Sequence, residues 1–131
     1  MLTVIIGLPN AGKTTYSERY NNVLHLDDIG RTENVINAIN QAFEDVIIEG
    51  YFGRADVRKR ILHAYNGKTK CIFLDISVEQ SIQRENRNRN PQILRNAARF
   101  FETPNLDEGW DEIIIIRGDD NVERISRETE D

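Results

Sequence analysis

Gly7-Leu8-Pro9-Asn10-Ala11-Gly12-Lys13-Thr14-Thr15 directly follows an apolar run and fits the spacing G-x-x-x-x-G-K-[ST]. Two glycines let the backbone turn its N–H groups inward, and a helix opening at Gly12-Lys13 adds partial positive charge. In this pattern Gly7, Pro9, Asn10, Ala11, Gly12, Lys13, Thr14 and Thr15 form a phosphate cradle for ATP. Lys13 is expected on the β- and γ-phosphates, and the Thr14 hydroxyl on Mg²⁺. A second acid for that metal is expected at Glu49, the polar end of the strand-like run Asp45-Val46-Ile47-Ile48.

Two further stretches carry charge suited to group transfer. Asp27-Asp28-Ile29-Gly30-Arg31 follows a short apolar run, and the carboxyl ends of parallel strands are where α/β proteins place ligands. A carboxylate there can accept the proton of an attacking hydroxyl, and Arg31 can hold a phosphate on the acceptor. A plainer role, capping the helix that begins near Glu33, is open to Asp27, Asp28 or Thr32. Between Arg84 and Arg99 lie five arginines and one glutamate, Glu85. With acids nearly absent, this run reads as a mobile lid whose Arg84, Arg87 and Arg89 neutralise charge on a transferring phosphate, rather than as a solvated helix face. His25 and His63 lack metal-ligand spacing and receive no role.

These residues need elements to hold them. Apolar runs at Thr3–Ile6, Val23–Leu26, Val46–Ile48, Lys70–Ile76 and Glu112–Ile116 read as strands. Between them, Lys13 to Tyr20, Glu33 to Glu44, Asp56 to Tyr65, Val78 to about Arg89 and Pro91 to Phe101 read as helices. Val35, Ile36, Ile39 and Phe43 face inward on one, and Val57, Ile61, Leu62 and Tyr65 on another. Strand–helix alternation predicts a five-stranded parallel sheet with helices on both faces, an α/β three-layer architecture with a small arginine-rich lid at about 84–99. Residues 1–117 are expected to form one domain, and 118–131 a polar acidic tail outside the core.

At 131 residues and a net charge of −5, the composition fits one globular domain and does not advertise general nucleic-acid binding. No apolar run approaches the roughly 20 residues that span a bilayer, and the amino terminus reads as a strand rather than a signal peptide. The single cysteine, Cys71, sits in an apolar run, excludes an internal disulfide and suits a reducing cytoplasm.

Taken together, the chain resembles the kinase domain of the polynucleotide 5′-hydroxyl kinases, within the adenylate-kinase-like P-loop kinases. The resemblance rests on the loop Gly7 to Thr15, on Asp27 to Arg31 after the second strand, and on Ile47-Ile48-Glu49-Gly50 before the basic helix Arg54 to Arg60. It rests also on Arg84 to Arg89 and on Arg99-Phe100-Phe101-Glu102-Thr103-Pro104 with Leu106-Asp107-Glu108-Gly109-Trp110, similar to that family's "FE-x-P…EGF" ending. It implies transfer of the ATP γ-phosphate to a hydroxyl with Mg²⁺, Asp27 or Asp28 being the base. The expected acceptor is a 5′-hydroxyl end of DNA or RNA. The alternatives are a nucleoside-like small molecule, a hydroxyl on a modified base, or a non-catalytic ATP-binding module.

Overall fold

In the computed structural model, residues 1–26, 32–41 and 45–127 are described. Asp27, Asp28, Arg31 and Phe43 fall outside them. Six strands form one sheet: β1 (Leu2–Gly7), β2 (Leu24–His25), β3 (Val46–Gly50), β4 (Thr69–Asp75), β5 (Glu112–Arg117) and β6 (Val122–Ser126). Their order is β2-β3-β1-β4-β5-β6, and every pairing is parallel except the last.

The central position of β1 explains why all six of its residues are buried. Leu2, Val4 and Ile6 pack into one layer and Ile5 into the other, as the two-residue period of a strand requires. The first layer takes Val35 and Ile39 of α2 (Thr32–Gln41), Ile61 and Leu62 of α3 (Ala55–Ala64), and Trp110. The second is smaller and takes Leu8, Ala11 and Ile76, with Tyr16 of α1 (Lys13–Ser17) and Ala98 of α5 (Pro91–Arg99) against it. Cys71 is wholly buried at the centre of β4, and burial pushes its thiol pKa well up, so it is a core residue.

Three expectations need correcting. The helix α4 runs only Val78–Gln83 instead of continuing to Arg89. The Glu85 carboxylate takes the backbone N–H groups of Arg87 and Arg89, Asn88 turns to φ 60°, and Asn90 caps α5 ahead of Pro91. Residues 84–90 are therefore a loop between two helices. Second, the sheet has six strands rather than five, because Val122–Ser126, expected in a tail, pairs antiparallel with β5. Ile125 supplies an apolar contact to the first layer, and cross-strand pairs Arg117–Glu123 and Arg124–Glu112, both 3.0 Å, make polar residues compatible with a strand. Third, the basic helix Arg54 to Arg60 is not basic on its outer face alone, since Arg58 is only 1% exposed.

Candidate phosphate-binding and transfer site

The loop after β1 is shaped by two glycines for different reasons. A Cβ on Gly7 would stand 2.8 Å from the Leu74 carbonyl oxygen, so the backbone can pass β4 only without a side chain. Gly12 has open space around it but φ +94°, the left-handed region that glycine enters without strain. Asn10 also turns left-handed, at φ 68°. The Lys13 ammonium donates to the carbonyls of Gly7 and Leu8 at 2.9 and 2.8 Å, curling over the cradle. Gly7 and the nearly buried Ala11 support the loop from beneath.

The loop does not stand alone. Ser81 of α4 donates to the Pro9 carbonyl at 2.7 Å. Asn10 donates to the Ser81 carbonyl at 2.9 Å and to Glu85 at 2.8 Å. Arg84 donates to the Asn10 carbonyl at 3.2 Å, and Arg89 to its side-chain oxygen at 3.1 Å. The lid and the phosphate loop are thus one hydrogen-bonded unit. Arg89 beside Glu85 holds that carboxyl down at about 2, helped by Asn10 and by the Arg89 backbone N–H.

A cleft of about 460 Å³ is lined by Pro9, Asn10, Gly12, Lys13, Thr14 and Thr15, by Glu49, Gly50 and Tyr51 at the end of β3, and by Arg84, Asn86, Arg87 and Arg89. Phosphate loop, acid and lid arginines therefore face one space. Arg84 and Arg89 are occupied with Asn10. The Arg87 guanidinium forms no ion pair among the described residues.

Glu49 is 5% exposed, and His25 stands beside it at the end of β2, Nδ1 to Oε1 2.7 Å. The β2–β3 register sets His25 directly opposite Glu49. His25, given no role from the sequence, is thus the hydrogen-bond partner of Glu49, which lines the cleft. The signal available was its position at the end of a strand expected beside the one that carries Glu49. Asp27, Asp28 and Arg31, expected as base and phosphate holder, lie outside the described residues. The chain approaches them at Leu26, which packs against Gly50 so closely that a Cβ there would lie 2.7 Å away.

Thr14 and Glu49 supply one hydroxyl and one carboxylate at the same cleft. Mg²⁺ typically takes one or two carboxylates and completes its shell with phosphates and water, so this donor set fits it.

The ending "FFETPNLDEGW" contributes its Glu108 and Trp110 to the core. Glu108, in a 3-10 turn (Leu106–Glu108), takes two hydrogen bonds from Arg58 at 2.8 and 2.7 Å and one from the Trp110 indole at 3.0 Å. Trp110 is 1% exposed, and Phe101 stacks on Phe73 at 5.2 Å. Arg58 also donates to the carbonyl of Phe52, which sits at φ +41° two residues after Gly50. Tyr51, between them, donates to the Ala97 carbonyl, and burial raises its phenol pKa. Through Glu108 and Trp110, this stretch is tied by Arg58 to the turn after β3.

No protein-family model matches the chain, and no curated protein matches it either. Among solved structures, the chain is similar to a gluconokinase from Sinorhizobium meliloti 1021, with a TM-score of 0.66 and 14% identity over 88% of this chain and 81% of that one. It is likewise similar to a sugar kinase from Janibacter sp. HTCC2649, with a TM-score of 0.67 and 16% identity over 88% and 84%. At that identity the likeness is one of fold, and the fold this chain shares with them is that of the P-loop kinases.

Proposed function

We propose that the chain is an ATP-dependent kinase that moves the γ-phosphate onto the hydroxyl of a small molecule. The observation carrying this reading is the single cleft into which Lys13, Thr14, Glu49 and Arg87 converge. Its size lies within the usual range of small-ligand sites. Similarity in fold to a gluconokinase and a sugar kinase supports a small acceptor. A 5′-hydroxyl end of DNA or RNA, the acceptor expected from the sequence, draws no support from these similarities, since neither solved structure is named as a nucleic-acid kinase.

In this reading the nucleotide draws Lys13 from the Gly7 and Leu8 carbonyls onto the β- and γ-phosphates. Thr14 and Glu49 would hold Mg²⁺, whose charge offsets that of the phosphate oxygens. Asp27 takes the proton of the acceptor hydroxyl, with Asp28 as the other candidate. The oxygen bonds to the γ-phosphorus as the bond to the β–γ bridging oxygen breaks, and ADP leaves. Arg87 neutralises charge on the γ-phosphoryl oxygens.

The test is γ-labelled ATP with a panel of sugars, sugar acids, nucleosides and 5′-hydroxyl oligonucleotides, at about 50 and 200 mM salt. Transfer to one small molecule, insensitive to salt and lost in Asp27→Asn, is the expected outcome. Transfer confined to oligonucleotides and falling steeply with salt would return the acceptor to nucleic acid.

A further inference from the structure

We infer that Glu85 is a positioning residue that latches the lid loop onto the tip of the phosphate loop before a nucleotide arrives. Its role for the arginines rests on the kinase reading. The carboxylate, with a side chain 9% exposed, accepts from Asn10 Nδ2, from the backbone N–H groups of Arg87 and Arg89, and from Nε and Nη2 of Arg89. These donors come from two segments some 75 positions apart in sequence, so more than a local ion pair is involved. Without Glu85, residues 84–90 would have no common acceptor for their backbone, and Asn10 would lose a link to the lid.

The consequence is preorganisation. All three arginines line the cleft and two of them already touch Asn10, so the nucleotide meets a lid whose ordering entropy is already spent. Glu85 also neutralises Arg89 there, which leaves Arg87 to meet the incoming phosphate. A lone glutamate in an arginine run is otherwise an obstacle to anion binding. Here it is the group that folds the run.

The experiment is limited trypsin digestion of the nucleotide-free protein, with cleavage after Arg87 and Arg89 followed by mass and cleavage after Lys70 in β4 as the core control. In Glu85→Ala the lid sites should be cut on the order of tenfold faster with the core site unchanged, and added ATP should restore protection. The ATP KM should rise by a similar factor while kcat moves less, since binding energy then orders the lid. Glu85→Gln, which keeps the volume, provides the same comparison should the alanine variant fold poorly, and Glu85→Asp should recover part of the protection. Lid cleavage equal to wild type in the variants overturns the latch. Faster lid cleavage in a protein that phosphorylates no acceptor upholds the latch and sinks the kinase reading instead.

Discussion

Arg58 and Glu108, fifty residues apart, form a two-pronged ion pair whose side chains are only 1% and 2% exposed. The pair is satisfied on every side: Trp110 donates to the same carboxylate, and the Phe52 carbonyl takes the remaining Arg58 contact. Removing one partner strands a buried charge, which costs about 3–5 kcal/mol. Glu108→Ala should lose stability of that size in urea unfolding. Replacing both residues by Met and Leu should cost less than the single change, a coupling that a double-mutant cycle measures directly. Arg58→Lys should not rescue, because an ammonium cannot span both oxygens.

The two loop glycines should separate stability from binding. Gly7→Ala places a methyl group 2.8 Å from a backbone oxygen, so the sheet must shift and the melting temperature should fall. Gly12→Ala meets nothing, and its cost is the positive φ, about 1–2 kcal/mol. Calorimetric titration with ATP should then show Gly12→Ala folded but binding more weakly.

Arg87 and Lys13 should differ in kinetic signature. Arg87→Ala is expected to lower kcat by on the order of 10²- to 10³-fold with a smaller change in the ATP KM, the mark of an interaction made in the transition state. Lys13→Ala should impair nucleotide binding as well as turnover. Steady-state assays with the acceptor found in the panel settle both.

Acid should loosen the lid along a defined course. The Glu85 carboxyl titrates at about 2 in the fold against an ordinary value of 4.5, the lowering coming first from Arg89. A depressed folded-state value means that its contribution to stability is complete above about pH 4.5 and is lost as pH falls towards 2. The stability difference between wild type and Glu85→Gln, followed by denaturant unfolding, should therefore be constant from pH 7 to 5 and shrink below it. The carboxyl carbon resonance of Glu85 should titrate near 2.

Legibility in the sequence followed the range of the interactions. Parallel strands buried on both faces announce themselves as apolar runs, and the loop carries its own spacing, so β1, β3, β4, β5 and the cradle could be read directly. What escaped depended on distant partners. Arg58 looks like any basic helix residue until Glu108 and the Phe52 carbonyl are placed around it. Glu85 looks like a lone acid in a basic run until Asn10 arrives from the other end of the chain. His25 gained its meaning from the register that sets it opposite Glu49. Arg84, Arg87 and Arg89 line one cleft, but that Arg84 and Arg89 also hold Asn10 follows from three-dimensional contacts alone. Asp27 and Asp28 retain their standing as candidates by position after β2.

The hairpin of β5 and β6 bears on which edge the sheet offers to other chains. Ile113 to Ile116 is an aliphatic run that, left on a sheet edge, would invite pairing between molecules. Instead β6 covers it and offers the outside an edge carrying Glu123 and Arg124, each tied to a charge on β5. Trimming the chain at residue 117, which looks harmless from its polar tail, would uncover that edge and should raise the tendency to aggregate during purification.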